Sequence, residues 1–126
     1  MTTAHGSHVS DYMHRQLEVV AQDTSVVTVA TRMRTRSIGS VLIESFDRPH
    51  NDCRIAGIVT ETDLVSKVLA AGRVPSRTSM ADIMSSPLIT IAPDRPMVDA
   101  SHLMQGKNVR HLVVTEGTDV LGVISV

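Results

Sequence analysis

Hydrophobic side chains in the first half of the chain recur with the periods of one helix and two strands. Apolar positions at helical spacing follow the capping residues 23–25, which predicts a helix over about residues 25–34. The runs 40–44 and 54–60 are short and rich in branched apolar residues, so each predicts a strand. The polar stretch 46–54 between them is predicted to be a turn.

A second helix is predicted after the second strand. Thr60 or Thr62 caps it, it runs to Ala71, and Gly72 closes it. The segment 73–79, which contains a proline, is predicted to be a linker. The second half of the chain predicts one further helix and two further strands, at about residues 94–106, 110–115 and 120–125.

An internal repeat relates the two halves of the chain. Counterparts stand 71 positions apart, and after the predicted turn the spacing shortens to 65, so repeat 1 has six extra residues in that turn. The residues matched at the longer spacing are Asp11, Met13, Asp23, Val27 and Met33 with Asp82, Met84, Asp94, Val98 and Met104. Each repeat is therefore predicted to run strand, helix, strand, strand, helix.

The repeat defines the predicted domain organisation. A flexible tail, residues 1–8, precedes repeat 1 over residues 9–72, and the linker 73–79 leads to repeat 2 over residues 80–126. Repeat 2 is expected to lack its last helix, because the sequence stops at Val126. A half of about 55 residues buries too little core alone, so the two are expected to pack sheet to sheet. The predicted fold class is α/β (α+β), with two pseudo-symmetric repeats.

Composition and charge remove several classes of function. With 12 basic and 13 acidic residues the net charge is -1, and aromatic residues make up 2% of the chain, so neither nucleic acid nor an anionic membrane is expected as a partner. No apolar run reaches the roughly 18 residues of a membrane span. The single cysteine, Cys53, excludes an internal disulfide and a cysteine-rich zinc site, and the histidines lack zinc-like spacing. A cytoplasmic protein without a bound metal is expected.

Three segments resemble a known family. The most specific is Gly57-Ile58-Val59-Thr60-Glu61-Thr62-Asp63-Leu64, with glycine, two apolar residues, threonine, two variable positions and aspartate. Segments 82–91 and 108–114 support it, as do the order and spacing of the two repeats. Over nearly all of residues 9–126, the chain resembles a tandem pair of cystathionine-β-synthase-type (CBS) domains, also called a Bateman module.

The resemblance implies regulation rather than catalysis. Such pairs bind adenosine-containing ligands, here expected to be AMP, ADP or ATP, in the cleft between the repeats, and the ligand changes the geometry of the pair. Two pairs commonly associate, so a homodimer is expected, and the regulated partner protein is unknown. The resemblance requires no cofactor beyond this regulatory nucleotide and predicts no catalytic residue.

In repeat 1 the motif predicts four ligand-binding residues. Gly57 would let the ligand approach the strand backbone closely. Thr60 and Thr62 would offer polar groups where the strand meets the helix, and Asp63 would accept hydrogen bonds from the two vicinal ribose hydroxyls. A second interpretation is left open, in which Thr60, Thr62 and Asp63 only cap the helix.

The resemblance assigns five residues of repeat 2 to the same ligand. Leu88 and Ile89 would contact the adenine, and Val109, Arg110 and His111 stand at the start of the facing strand. Arg110 would pair with a phosphate, which its planar guanidinium suits, and His111 would add a hydrogen bond or a charge. A cation here favours a phosphate-bearing ligand over S-adenosylmethionine, whose sulfonium is itself cationic. In the other interpretation, Arg110 is a solvated surface charge and His111 a half-buried histidine.

A symmetry-related second site is not expected to bind. Its motif begins at Gly122, but the sequence stops before the position that matches Asp63. Its opposite wall would contain Glu18, which would repel a phosphate, and Gly39-Ser40 in place of an arginine and a histidine. One ligand per chain is therefore predicted.

Two other classes of function stay open. The first alternative is a structural dimerisation module without a physiological ligand, which the shortened second repeat favours. An enzyme is the least favoured class, because no nucleophile, base and oxyanion donors come together. Cys53 and His50 lie in the predicted polar turn, where no orienting partner for the histidine is evident.

Overall fold

Two three-stranded sheets organise the chain in the computed structural model, which describes residues 7–125. One sheet belongs to a compact unit formed by Glu18–Pro87, called here the repeat-1 unit. The other belongs to the repeat-2 unit, in which residues up to Leu17 fold together with residues from Leu88 onward. The predicted combination of small sheets with helices is confirmed in both units.

Helices and strands follow one another in an order close to the predicted one. The elements are α1 (Val9–Tyr12), β1 (Val19–Ala21), α2 (Val26–Arg36), β2 (Ser40–Asp47), β3 (Asp52–Thr60), α3 (Glu61–Asp63), α4 (Met80–Ile83), β4 (Thr90–Ile91), α5 (Met97–Lys107), β5 (His111–Glu116) and β6 (Asp119–Ser125). α3 continues as a π-helical segment, Leu64–Leu69, and a short 3-10 turn, Pro75–Arg77, lies in the predicted linker. Among residues 7–125, no helix is long and apolar enough to cross a membrane.

Both sheets have the same topology. β1 pairs in parallel with β2, which pairs antiparallel with β3, and β4, β5 and β6 repeat this arrangement. α2 and α5 are the crossover connections that the parallel pairs require. The register of each antiparallel pair shifts at an equivalent place, after Ile43 and after Val114, which are 71 positions apart. The structural repeat therefore follows the sequence repeat down to this irregularity.

α2 shows how the sequence pattern forms the core of the repeat-1 unit. Ser25 caps the helix, because its hydroxyl oxygen accepts from the Thr28 N–H at 3.2 Å, and Ser37 ends it with φ at +53°. The side chains that this helix and its sheet bury together are Val26, Val29, Met33, Val41, Ile43 and Val59. Each fully buried aliphatic side chain stabilises the fold by about 1.5–3 kcal/mol. The predicted helix 25–34 is thus confirmed and extends two residues further.

Each unit contains a short helix from the start of the other repeat. α1 buries Val9 in the core of the repeat-2 unit, and α4 buries Met80 and Ile83 in the core of the repeat-1 unit. Val9 and Met80 are counterparts at the spacing of 71. The compact units therefore do not coincide with the predicted repeats 9–72 and 80–126, because the first helix of each repeat folds with the sheet of the other.

The predicted flexible tail, residues 1–8, falls largely outside the described residues, which begin at Ser7. The Ser7 carbonyl accepts from the Met97 N–H at 2.6 Å, and the His8 N–H donates to the Asp11 carboxylate at 3.3 Å. Ser7 and His8 therefore take part in the repeat-2 unit. Val126 also lies outside the described residues.

The predicted polar turn 46–54 is wrong in extent. β2 and β3 continue through most of these residues, and only positions 48–51 form the turn, with Asn51 at φ +50°. Asp47 organises this tip, since its Oδ2 lies 2.7 Å from His50 Nδ1 and 3.2 Å from Arg54 Nε. His50 thus has an orienting carboxylate, contrary to the expectation, whereas Cys53 is exposed.

Asp82 of α4 closes a capping box that makes the stability of the repeat-1 unit depend on pH. The Ser79 N–H donates to the Asp82 carboxylate at 2.9 Å, and this bond, together with one from the Ser79 hydroxyl, holds the pKa of Asp82 below its ordinary value. A carboxyl whose pKa is lowered by folding stabilises the fold above its unfolded pKa. That contribution is lost as the pH falls through the folded pKa.

We therefore expect Asp82→Asn to lower the melting temperature at pH 7. The deficit should shrink as the pH falls from about 4 through the lowered pKa of Asp82, below which the wild-type side chain is also neutral. Thermal unfolding between about pH 2 and pH 7 measures this difference. The control is Asp94→Asn, because Asp94 is exposed and makes no ion pair with a residue of the described chain. A deficit for Asp82→Asn that is as large at the acid end as at pH 7 would contradict the expectation.

Candidate functional site

Thr60 ends β3 and caps α3 through a reciprocal pairing with Asp63. The Thr60 hydroxyl oxygen accepts from the Asp63 N–H at 3.3 Å, while Asp63 Oδ2 accepts from the Thr60 N–H at 2.9 Å and from the Thr60 hydroxyl at 3.2 Å. This arrangement is a capping box. Of the two predicted caps Thr60 is the one that forms, and Thr62 is exposed. Thr60 and Asp63 therefore do cap the helix, and the box leaves Asp63 Oδ1 outside it; whether they only cap it stays open.

Lys67 is a residue of this site that the sequence analysis missed. Its Nζ lies 3.2 Å from Asp63 Oδ1, and it also donates to the Ile83 carbonyl at 2.9 Å and to the Ser85 hydroxyl at 3.4 Å. The signal in the sequence was the spacing, because an acid followed four residues later by a lysine forms a pair along one helix face. The Asp63 side chain is only 14% exposed, whereas that of Lys67 is 42% exposed.

Gly57 packs closely against another segment of its own unit. A Cβ atom at this position would lie 2.8 Å from Met84 Sδ and 2.8 Å from the Ser85 carbonyl oxygen. The space above the glycine is thus filled by residues 84–85 of the same unit, and Ile58 forms two backbone hydrogen bonds with Ser85 there. Gly57 is needed for the close approach of the chain itself, and the predicted ligand contact at its backbone stays a prediction.

Two of the five predicted residues of repeat 2, Ile89 and Val109, belong to the framework of the repeat-2 unit. Both side chains pack against the core of this unit, and each residue forms a backbone hydrogen bond within it. The Ile89 carbonyl accepts from the Val113 N–H at 3.0 Å, and the Val109 N–H donates to the Met104 carbonyl at 3.0 Å. Leu88 is half-buried just before them. The predicted contacts of Leu88 and Ile89 with the adenine, and the predicted place of Val109 beside the ligand, stay predictions.

Arg110 and His111 differ in their surroundings. Arg110 is exposed, and its guanidinium makes no hydrogen bond or ion pair with any residue of the range 7–125. His111 begins β5, is half-buried and pairs in the sheet with Ser125. Of the nine predicted site residues, the structure therefore groups Gly57, Thr60, Thr62 and Asp63 around the junction of β3 with α3, and it places the other five at the starts of β4 and β5 in the repeat-2 unit.

Glu18, assigned to the wall of the second site, is not an isolated negative charge. Its Oε2 lies 3.5 Å from Arg32 NH1, and its Oε1 accepts a hydrogen bond from Arg36. Two guanidinium groups beside one carboxylate leave this surface positive, so the expected repulsion of a phosphate is not supported. The prediction of one ligand per chain stays a prediction.

A cavity of about 580 Å³ opens in the repeat-2 unit, and none of the nine predicted residues lines it. Its lining residues are Thr90, Ile91, Ala92, Arg95, Asp99, His102, Leu103 and Thr115. Arg95 donates to Asp99 Oδ2 through both Nε, at 2.9 Å, and a terminal nitrogen, at 2.6 Å. The arginine of this cavity is therefore already neutralised within the first turn of α5.

Comparison with known proteins identifies a family. The family model of the CBS domain matches residues 9–70 and 80–126. An uncharacterised protein of Methanopyrus kandleri is 34% identical over 119 residues, which are 93% of this chain and 58% of that protein. The mitochondrial CBS domain-containing protein CBSX3 of Arabidopsis thaliana is 28% identical over 106 residues, 82% of this chain and 50% of that protein. The chain thus spans only 50–58% of the length of these two curated relatives.

A solved structure shares the fold. The hexameric CBS-CP12 protein from bloom-forming cyanobacteria matches with a TM-score of 0.84 at 25% identity, over 94% of this chain and 66% of that chain. The two matched regions, the internal repeat and this shared fold lead to one conclusion. The chain belongs to the CBS domain family, as a tandem pair of the regulatory, ligand-binding kind.

Proposed function

We propose that this tandem CBS pair senses an adenosine-containing nucleotide, AMP, ADP or ATP, and that Asp63 binds its ribose. The burial and the hydrogen bonds of the Asp63 carboxylate give this proposal its main support. It is largely buried, Oδ2 is held by the Thr60 capping box, and Oδ1 faces an ammonium group. A carboxylate fixed in this way is an oriented acceptor for neighbouring hydroxyl groups, and charge-assisted hydrogen bonds are the strong ones.

Arg110 is proposed to bind the phosphate. Its guanidinium is permanently charged, exposed and unengaged by the described residues, so no internal ion pair has to break before an anion binds. The family resemblance is what assigns Arg110 and Asp63 to one ligand, with Leu88 and Ile89 toward the adenine. His111, Val109 and Thr62 keep their proposed supporting roles, and no catalytic role is proposed for any residue.

Binding of AMP, adenosine and 2′-deoxy-AMP tests the assignment of Asp63 to the ribose separately from that of Arg110 to the phosphate. Wild-type protein is expected to bind AMP more tightly than adenosine, which lacks the phosphate, and more tightly than 2′-deoxy-AMP, which lacks the diol. Asp63→Asn should weaken AMP binding by about 10- to 100-fold and remove the preference for the diol, because a hydrogen bond to a charged group contributes about 1.5–3 kcal/mol. Arg110→Gln should remove the preference for the phosphate and keep that for the diol. Calorimetric titration measures all three dissociation constants.

Asp94→Asn is the matched control, and it should bind all three ligands like wild type. Thermal unfolding gives an independent readout, since AMP at 100 times its dissociation constant should stabilise wild-type protein by about 2.7 kcal/mol. If well-folded wild-type protein binds none of the three ligands, and neither ADP nor ATP, the sensor proposal fails and a structural dimerisation module becomes the better account.

Regulation in this proposal works through populations of states. A bound nucleotide shifts a conformational equilibrium only by the difference between its affinities for the two states. We propose that the sensing form is a homodimer acting on a separate partner protein; the cyanobacterial relative is described as hexameric. Analytical ultracentrifugation with and without AMP tests this part, and a monomer under both conditions would exclude it.

A further inference from the structure

Lys67 joins the proposed ribose site to the chain segment that leaves the repeat-1 unit. Its ammonium contacts Asp63 Oδ1 at 3.2 Å on one side, and the Ile83 carbonyl at 2.9 Å and the Ser85 hydroxyl at 3.4 Å on the other. Pro87, two residues beyond Ser85, is the last residue of this unit. One side chain therefore spans from the site to the segment 83–85, directly before the chain passes into the repeat-2 unit.

The hydrogen-bonding capacity of Asp63 makes this contact relevant to ligand binding. Each oxygen of a carboxylate has about two acceptor sites. Oδ2 already accepts from the Thr60 N–H and the Thr60 hydroxyl, and Oδ1 accepts from Lys67. A single acceptor site remains, whereas a ribose diol offers two hydroxyl donors. A diol that donates both of its hydrogens must therefore displace one of the present donors.

Lys67 is the donor that leaves most readily. The Thr60 N–H is fixed by the backbone, and the Thr60 hydroxyl is held in place because it also accepts from the Asp63 N–H. The Lys67 side chain is 42% exposed, so water replaces its lost partner, whereas the Thr60 donors cannot leave without opening the capping box. Its departure frees both acceptor sites of Oδ1.

We infer that Lys67 couples the site to the segment 83–85: the ribose diol displaces its ammonium from Asp63, and the segment loosens. The inference rests on the proposed function, because it needs a ligand diol at Asp63. Once the contact with Asp63 is lost, the ammonium keeps only the Ile83 carbonyl and the Ser85 hydroxyl as partners among the described residues, and water competes with them for this half-exposed side chain. The signal of ligand binding thereby reaches the end of the repeat-1 unit through one side chain.

Two amides report on this segment. The Met84 N–H donates to the Met80 carbonyl at 2.8 Å, and the Ser85 N–H donates to the Ile58 carbonyl at 3.0 Å. Their counterparts in the repeat-2 unit, the amides of residues 13 and 14, form equivalent bonds of 3.1 and 2.8 Å. No lysine contacts those counterparts among the described residues, so they serve as the internal control.

Hydrogen exchange in the unliganded protein tests the coupling without any ligand. Asp63→Asn and Lys67→Met should each accelerate exchange of the Met84 and Ser85 amides several-fold, and the double variant should add little to either, because both remove the same link. Lys67→Arg should restore much of the protection, and Lys107→Met, an exposed lysine at the end of α5, should have no effect. Additive effects of the two single variants would overturn the link.

In the second part of the experiment the ligand is adenosine. It has the ribose diol but no phosphate, and a phosphate would be attracted to Lys67 and obscure the result. Lys67→Met is expected to bind adenosine about 2- to 5-fold more tightly than wild type, the displaced competitor being absent. Adenosine should accelerate exchange at Met84 and Ser85 in wild-type protein and leave it unchanged in Lys67→Met. Weaker binding by Lys67→Met, or equal protection changes in both proteins, would overturn the inference. Well-folded wild-type protein that binds no adenosine, AMP, 2′-deoxy-AMP, ADP or ATP would instead overturn the proposed function, while hydrogen exchange in the unliganded protein still decides whether the link exists.

Discussion

Replacing Gly57 with alanine is expected to lower the free energy of unfolding of the repeat-1 unit by about 1–3 kcal/mol. The added Cβ would lie 2.8 Å from the Ser85 carbonyl oxygen and 2.8 Å from Met84 Sδ. A thioether can rotate away, but a backbone carbonyl that bonds to Ile58 cannot move without breaking the two hydrogen bonds there. The strand or the segment 84–85 must therefore shift, and this shift is the physical source of the loss.

Two other glycines make the experiment decisive. Gly122 is the counterpart of Gly57, and a Cβ there would lie 2.7 Å from the His14 carbonyl oxygen, so Gly122→Ala should destabilise the repeat-2 unit to a similar extent. Gly106 lies inside α5 with nothing within 4 Å of an added Cβ. Gly106→Ala should therefore stabilise the protein by about 0.5–1 kcal/mol through helix propensity. Chemical denaturation of the three variants measures these signs, and a neutral Gly57→Ala would disprove the packing role.

The role of Gly57 illustrates what a motif alone does not reveal. From the sequence, the glycine indicated a close approach, and the resemblance supplied a ligand as the approaching group. The structure provides a nearer candidate, since residues 84–85 of the same unit lie there. The periodicity of a strand shows which side of it is buried, but not which distant segment covers it. The repetition of Met13 and Met84 with the two glycines was the available clue.

Elements with one apolar face were the predictable part of the fold. α2 and α5 lie close to the predicted positions because their buried residues recur at helical spacing over three turns. The outer ends of β2 and β3, within residues 46–54, were predicted to be a turn. They form a two-stranded ribbon whose residues are largely exposed, including Phe46 and Cys53. Its backbone ladder needs no buried face, so no hydrophobic alternation marked it in the sequence.

The candidate site was predictable where its contacts are local. Thr60 and Asp63 pair three residues apart, and capping chemistry predicts that pairing. The ion pairs of Glu18 with Arg32 and Arg36 join residues 14 and 18 positions apart, so they depend on how α2 crosses the sheet. No sequence spacing encodes such a pairing, which is why the sequence analysis treated Glu18 as an isolated charge.

α1 and α4 each pack on the sheet of the other repeat, and a mutation in α4 tests this exchange of first helices. Met80→Ala is expected to lower the free energy of unfolding by about 2–5 kcal/mol. Met80 is fully buried in the core of the repeat-1 unit. Its N–H donates to the Thr24 carbonyl at 3.0 Å, and the Ala81 N–H donates to the Gln22 carbonyl at 2.9 Å. These bonds hold the α4 backbone in place, so the unit does not collapse fully around the lost side chain and a cavity remains.

Hydrogen exchange shows which of the two sheets a substitution in α4 weakens, and so whether α4 packs on the repeat-1 sheet or on the sheet of its own repeat. Met80 belongs to repeat 2 by sequence, yet Met80→Ala should accelerate amide exchange more in β2 and β3 than in β5 and β6, because α4 packs on the repeat-1 sheet. Val9→Ala should show the opposite distribution, since Val9 is fully buried in the repeat-2 core. Val98→Ala, at an exposed position of α5, is the control and should change stability by less than about 0.5 kcal/mol. If Met80→Ala affected β5 and β6 more than β2 and β3, the exchange of first helices would be refuted, and each repeat would have to fold on its own helix.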